Sequence, residues 1–191
     1  MELTADVAVV LVRHGETEWS SSGKHTSYSD VALTPRGCDQ AREVAERLKG
    51  VDFSLVLTSP RQRARTTCAF AGLEPHAEIT DDLAEWNYGD YEGRTTNAIR
   101  AEVPGWTIFR DGAPGGETSA EVEARADRVL ARATDAGGVV ALFSHGHFLR
   151  VLGARWIGQP ASAGAWFGLD TATLCCLGHE REQRVLRVWN G

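Results

Sequence analysis

Short apolar runs alternate along the chain with segments in which apolar residues recur three and four apart, the pattern of an α/β domain built on a largely parallel sheet. "VAVVLV" at 7–12 predicts the first strand. Thr34 followed by Pro35 predicts a capped helix start with proline at the first helical position, and Ala41, Val44, Ala45 and Leu48 mark its buried face up to Gly50. "SLVLT" at 54–58 predicts a second strand. Ser59 and Pro60 then repeat the cap-and-proline pattern and predict that a second helix opens there. Thr118 and Glu121 form a capping-box pair ahead of a third helix with the stripe Val122, Ala126, Val129 and Ala133, ended by Gly137 and Gly138. "VVALF" at 139–143 predicts a central strand, 147–156 a helix, and "TATLCCL" and "RVLRVW" two closing strands. "GAPGG" at 112–116 is the one clear loop of small residues, and no repeat, linker or low-complexity tail interrupts the pattern.

Composition narrows this picture. The 191 residues, 42% of them hydrophobic, suffice for one core, so a single domain over 1–191 is expected. A formal net charge of −6 and a pI near 5.5 argue against a surface that coats nucleic acid or an anionic membrane, so an anionic ligand must be small and held locally. Cys38, Cys68, Cys175 and Cys176 lack metal-knuckle spacing and suit reduced thiols in the cytoplasm. The first residues carry neither a basic segment nor a long apolar one, and no run approaches the roughly 18 apolar residues of a membrane span. The oligomeric state is left open, a homo-oligomer included.

Ligands of open α/β sheets bind at the carboxyl ends of strands. Two His-Gly pairs fall there: His14-Gly15 after the first strand and His145-Gly146 after "VVALF", each with a glycine that lets backbone and ligand come close. If the two strands are neighbours, the imidazoles converge. "TSPRQRARTT" places Arg61, Arg63 and Arg65 in the first turns of a helix whose amide end also favours an anion. Arginines, histidines and a helix terminus around one point describe a phosphate cradle. Each piece also has a plainer explanation. "RHG" alone is a weak motif, Arg61 and Arg65 suit an exposed stripe, Glu85 suits a surface carboxylate, His76 and His179 suit the surface, and the six tryptophans suit a core.

Taken in order, "LVRHGETEWS", "LTPRG", "TSPRQRARTT", "LAEWNYGDYEG", "GGET" and "FSHGHFLRVL" resemble the histidine phosphatase superfamily, which includes cofactor-dependent phosphoglycerate mutases and many phosphatases. The resemblance spans about residues 7–152. It implies a three-layer α/β/α fold of the phosphoglycerate mutase type with a central, mostly parallel sheet. It further implies that His14 is the nucleophile, that Arg13, Arg63 and His145 hold the phosphoryl oxygens, and that Glu85 donates a proton. Arg63 is chosen because it fills the arginine of the pattern Ser-Pro-x-x-Arg-Ala. Mutase relatives carry a longer basic insertion after the acid segment and usually an asparagine after the second His-Gly. Here the path from Gly93 to Gly116 is short and His147 follows Gly146. "EWNYGDYEG" and "SHGH" resemble instead phosphatase branches that include acid phosphatases and a sedoheptulose-bisphosphatase group. The expectation is a phosphomonoesterase for small phosphorylated metabolites, sugar phosphates among them. A phosphoglycerate mutase and a non-catalytic phosphosugar-binding protein are the rivals.

The chemistry is consistent with those residue types. A neutral imidazole can attack phosphorus in line, giving a phosphohistidine that water then hydrolyses. A carbonyl accepting from the other ring nitrogen of His14 would fix its tautomer. Arg13, Arg63 and a protonated His145 would match the charge on the equatorial oxygens of a loose transition state, so no metal or other cofactor is needed. A zinc site on His14, His145, His147 and a carboxylate is the weaker alternative, because no familiar ligand spacing appears. Glu85, among Trp86, Tyr88 and Tyr91, would supply the leaving oxygen with its proton. Beyond the phosphate, Ser20, His25, Thr26, Ser27, Tyr88, Gly146, His147 and the "GAPGGET" loop are the candidates for substrate binding.

Overall fold

A computed structural model of the protein describes residues 7–191, so the expectations for the first six lie outside the described residues. In chain order the elements are β1 (Val7–Arg13), α1 (Glu18–Ser21), α2 (Pro35–Leu48), β2 (Leu55–Thr58), α3 (Gln62–Phe70) and β3 (Ala77–Ile79). After a long irregular stretch come α4 (Thr96–Glu102), α5 (Ile108–Asp111), α6 (Ser119–Ala136), β4 (Val140–Ser144), α7 (Gly146–Trp156), β5 (Leu174–Glu180) and β6 (Gln183–Val188). The strands form one mixed sheet in the order β3-β2-β4-β1-β5-β6. β3, β2, β4 and β1 pair in parallel, and β5 and β6 extend the sheet through antiparallel pairings.

Strands covered on both faces read as continuous apolar runs, which is why β1 and β4 stand out in the sequence. Along β1, Val9 and Leu11 enter a core shared with α6 and α7, while Val10 and Val12 enter a second core shared with α2 and α3. This is the three-layer α/β/α arrangement, with each fully buried Val or Leu contributing roughly 1.5–3 kcal/mol of transfer free energy. The Thr34 hydroxyl caps α2 by accepting from Gly37, and Thr118 and Glu121 make the reciprocal capping box of α6. Within the expected face of α2, Ala41, Val44 and Leu48 are buried and Ala45 is half-buried.

The start of α3 departs from expectation. The helix begins at Gln62 with Arg61 as its unaided N-cap, not at Ser59. Ser59 lies two residues ahead of that N-cap: its hydroxyl is shared between the His145 ring and the Arg61 amide at 3.3 Å, and the Gln62 amide instead donates to the Asp30 carboxylate at 2.8 Å. The amide end of α3 is therefore already occupied by a carboxylate of the protein itself.

Register does the rest of the positioning. Arg13 pairs with Ser144 across the parallel β1–β4 ladder, so His14 and His145 are the next residues out on adjacent strands. Neighbouring strands lie about 4.8 Å apart. The two imidazole centroids are correspondingly 5.1 Å apart, in an edge-to-face arrangement.

Candidate active site

His14 is 6% exposed and His145 fully buried. The Nδ1–H of His14 donates to the carbonyl of Gly15 at 2.7 Å, which leaves the Nε2 lone pair free. Burial, then the charges of Arg63 and Arg13, push the His14 pKa well below its ordinary value, so the ring is neutral at neutral pH. Gly15 has a different use from the one expected: a Cβ there would sit 2.3 Å from the carbonyl oxygen of Gly37, so it is the first turn of α2 that the loop approaches closely. Gly146 does the corresponding service for Arg13, whose guanidinium carbon would lie 3.3 Å from an added Cβ.

His145 is not the expected imidazolium. Arg63 Nε–H donates to its Nδ1 at 3.2 Å, so that nitrogen is an acceptor, and its Nε2–H donates to Ser59 Oγ at 2.7 Å. Burial, then the charges of Arg63, His14 and Arg13, hold the pKa of this ring well below the usual imidazole value. A proton on Nδ1 would point directly at the arginine N–H.

Arg63 is fully buried in a cage of carbonyls: Nη1 donates to Ser29, and Nη2 donates to Thr26 and Ser27. Those carbonyls are aimed by Glu92, whose carboxylate accepts from the amides of Ser27 and Ser29 and, at 2.6 Å, from the Ser27 hydroxyl. Ser27 is thus committed to the scaffold behind the site. Arg61 and Arg65 are half-buried, and Arg65 pairs with Glu74.

Glu85 lies in irregular backbone that is clamped from two sides. Ser144 Oγ donates to Leu83, and Arg125 of α6 donates to the carbonyls of Asp82 and Ala84 while its guanidinium pairs with Glu117. The Glu85 carboxylate is seated on the amide end of α7, accepting from Phe148 at 2.8 Å and His147 at 3.1 Å as well as from Trp86. The helix terminus that enters the site is therefore that of α7.

A cavity of about 240 Å³ opens at this corner, lined at its inner end by Arg13, His14 and Glu85. Of the residues named for substrate binding, Ser20, His25, Thr26, Tyr88, Gly146 and His147 also line it. Ser27 and the "GAPGGET" loop do not, the latter packing its Gly116 against the backbone of Asn87 and Gly89. Arg63 and His145 stand directly behind His14 without lining the cavity. Tyr88 Oη and His147 Nδ1 are 2.5 Å apart, and His25 Nε2 is 3.2 Å from Thr96 Oγ1. Burial lowers His25 to about 4 and His147 well below 6.5, so this wall is polar but uncharged.

Sequence reasoning missed four contributors. Ser59 was hidden by its resemblance to a cap, and Glu92 by acceptor duties toward amides distant in the chain. Arg150 lines the cavity from α7, inside the stretch "FSHGHFLRVL" but without a role assigned to it, and the carbonyl of Leu169, outside every such stretch, accepts from Arg13 Nη1.

Residues 9–191 match the histidine phosphatase superfamily (branch 1). An acid phosphatase of Mycobacterium tuberculosis is 42% identical over 185 residues, covering 94% of this chain and 90% of that protein. The sedoheptulose 1,7-bisphosphatase of Saccharomyces cerevisiae is 35% identical over 183 residues, covering 78% and 67% respectively. Among solved structures, the product of a Mycobacterium tuberculosis open reading frame superposes with a TM-score of 0.91 at 39% identity, covering 95% of this chain and 96% of the other. The chain belongs to the histidine phosphatase superfamily, branch 1. Within it, this protein is a phosphatase, a phosphoric monoester hydrolase acting on phosphorylated small molecules.

Proposed function

We propose that the 191 residues form a single histidine phosphatase domain that hydrolyses small phosphorylated metabolites, sugar phosphates among them, through a phosphohistidine on His14. The observation that carries this reading is the neutral His14 ring, with Nδ1–H held by the Gly15 carbonyl and the Nε2 lone pair beside Arg13 in a cavity that also contains Glu85. Nε2 attacks phosphorus as the ester P–O bond breaks, and the leaving oxygen takes its proton from Glu85. Water, giving a proton to the Glu85 carboxylate, then attacks phosphorus as the N–P bond breaks, releasing phosphate and restoring both the neutral ring and the acid. Arg13 meets the phosphoryl oxygens from the cavity wall, while Arg63 supplies positive charge from behind, where low dielectric strengthens it. His145 serves as a neutral spacer that carries the position of Arg63 and Ser59 to His14. The four cysteines are free thiols, which supports a cytoplasmic setting.

A screen of purified protein against a panel of phosphometabolites, scored by released phosphate, tests the hydrolase reading. A parallel incubation with 3-phosphoglycerate and catalytic bisphosphate tests the mutase rival. Phosphate release with no isomerised phosphoglycerate is expected; isomerisation without net phosphate release overturns the proposal.

A further inference from the structure

Arg63 and Arg13 are held in very different ways. Arg63 is fixed by four hydrogen bonds, one to the His145 ring and three to the carbonyls of Ser29, Thr26 and Ser27. Arg13, which lines the cavity, has a single side-chain hydrogen bond among the described residues, from Nη1 to the Leu169 carbonyl, and its Nε has none. Gly146 packs against the guanidinium without directing it. Whatever places the Leu169 carbonyl therefore aims Arg13.

Leu169 lies in irregular backbone between α7 and β5, so no strand ladder fixes its carbonyl. The inner side of this segment is bonded to the nucleophile loop: the Ala172 amide donates to the His14 carbonyl at 3.1 Å, and the Arg13 amide donates to the Thr173 carbonyl at 3.3 Å. Ala172 has a φ of 55°, the left-handed region that an alanine adopts only where its surroundings impose it. The outer side is gripped by the two residues that follow β6. Trp189 Nε1–H donates to the Gly168 carbonyl at 2.5 Å. Its ring centroid lies 4.9 Å from that of Phe167, and the ring is seated over Gly153 of α7, where an added Cβ would come within 2.5 Å of it. Asn190 and Asp170 exchange bonds: the Asp170 amide donates to Asn190 Oδ1 at 2.7 Å, and Asn190 Nδ2–H donates to the Asp170 carboxylate at 3.0 Å. Trp189 and Asn190 thus hold the residues on either side of Leu169, although neither borders the cavity.

We infer that Trp189 and Asn190 are positioning residues for the reaction: by fixing Gly168 and Asp170 they aim the Leu169 carbonyl, and through it the guanidinium of Arg13. This rests on the hydrolase reading above, in which Arg13 meets the phosphoryl oxygens.

The test is a double-mutant cycle read with nitrophenyl phosphate, whose activated leaving group keeps residual rates measurable. Asn190→Asp keeps the shape and tolerates the left-handed backbone that Asn190 adopts, but it sets two carboxylates against each other. kcat/KM should fall about tenfold, less than the roughly 10²-fold cost of a 1 Å misplacement, and inhibition by inorganic phosphate should weaken in step. Exchanging the pair, Asp170→Asn together with Asn190→Asp, rebuilds both bonds at the original net charge and should bring both readings back close to wild type. In an Arg13→Ala background Asn190→Asp should cost nothing further, because residues that act as a unit are not additive. Trp189→Phe keeps the ring packing and removes only the N–H. It should lower kcat/KM several-fold with the same dependence on Arg13, and it carries the cycle if Asn190→Asp does not fold. No loss in folded Asn190→Asp, a loss that persists undiminished without Arg13, or a folded exchanged pair that does not recover overturns the positioning role alone. Wild-type protein that hydrolyses no phosphate ester overturns the hydrolase reading and this role with it.

Discussion

The two His-Gly corners are the same dipeptide at the ends of adjacent parallel strands, yet the chain gives them opposite environments. At the first, only one ring nitrogen is occupied, by the neighbouring Gly15 carbonyl, and the ring borders the cavity. At the second, both nitrogens are occupied, by Arg63 and by Ser59, and the ring is sealed. Both rings are neutral for the same reason, burial next to guanidinium groups. What separates a ring with an open nitrogen from a fully engaged one here is whether residues far away in the chain, Arg63 and Ser59, claim its nitrogens. Strand and motif alone do not distinguish them.

The sharpest way to break the comparison is to remove the ring that faces the cavity. His14→Ala should lower kcat by at least about 10³-fold, roughly 4 kcal/mol of barrier, with an unchanged far-ultraviolet spectrum, because no core is opened. Substantial residual phosphatase activity would show that the free Nε2 is not the nucleophile. Glu85→Gln should come next and depend on the leaving group. Alkyl phosphates should slow by about 10²–10⁴-fold and nitrophenyl phosphate by much less, because a nitrophenolate needs little protonation. Equal slowing of both esters would move the acid elsewhere.

Arg63→Ala should cost about 3 kcal/mol in the transition state, roughly a hundredfold in kcat, through lost electrostatic support for the first corner and lost position for the second. Arg61→Ala and Arg65→Ala should do far less, and equal losses at all three would contradict the special place of the caged arginine. The smallest effect concerns stability. For His14, His145, His147 and His25 the folded pKa lies below the unfolded value of about 6.5, so between the two values the unfolded chain binds more protons. Their stabilising contribution is full above that value and is lost as pH falls, for His25 down to about 4. The urea midpoint should stay flat from pH 8 to 7 and drop below pH 6.5; a midpoint that rises on acidification would contradict the buried neutral rings.

Much of this architecture is legible in the sequence, for identifiable reasons. β1 and β4 are buried on both faces and so appear as unbroken apolar runs, and the Thr34 and Thr118 caps depend on residues three positions away. Once β1 and β4 are taken as neighbours, convergence of His14 and His145 follows. Local reading fails where a distant partner outbids a local one. Ser59 has the pattern of a cap but is claimed by His145, and Ser27 has the look of a pocket residue but is claimed by the stronger carboxylate acceptor of Glu92. The charge of His145 was misjudged because nothing in "FSHGH" reveals that Arg63 Nε points at its Nδ1. Arg150 carries no signal in the sequence because an arginine in a largely apolar helix looks like a solvent-facing position until the carbonyls of Gly164 and Ala165 are seen to hold it.

The central claim is that the phosphoryl group passes through His14. Wild-type protein mixed with a turned-over phosphate ester should be denatured rapidly in alkali, which preserves a phosphoramidate, and digested for mass spectrometry. One phosphate on the peptide containing His14, lost on brief acid treatment and absent from His14→Ala, is the predicted result. Continued turnover with no phosphopeptide under conditions that trap a known phosphohistidine protein, or a label on another residue, would contradict the account.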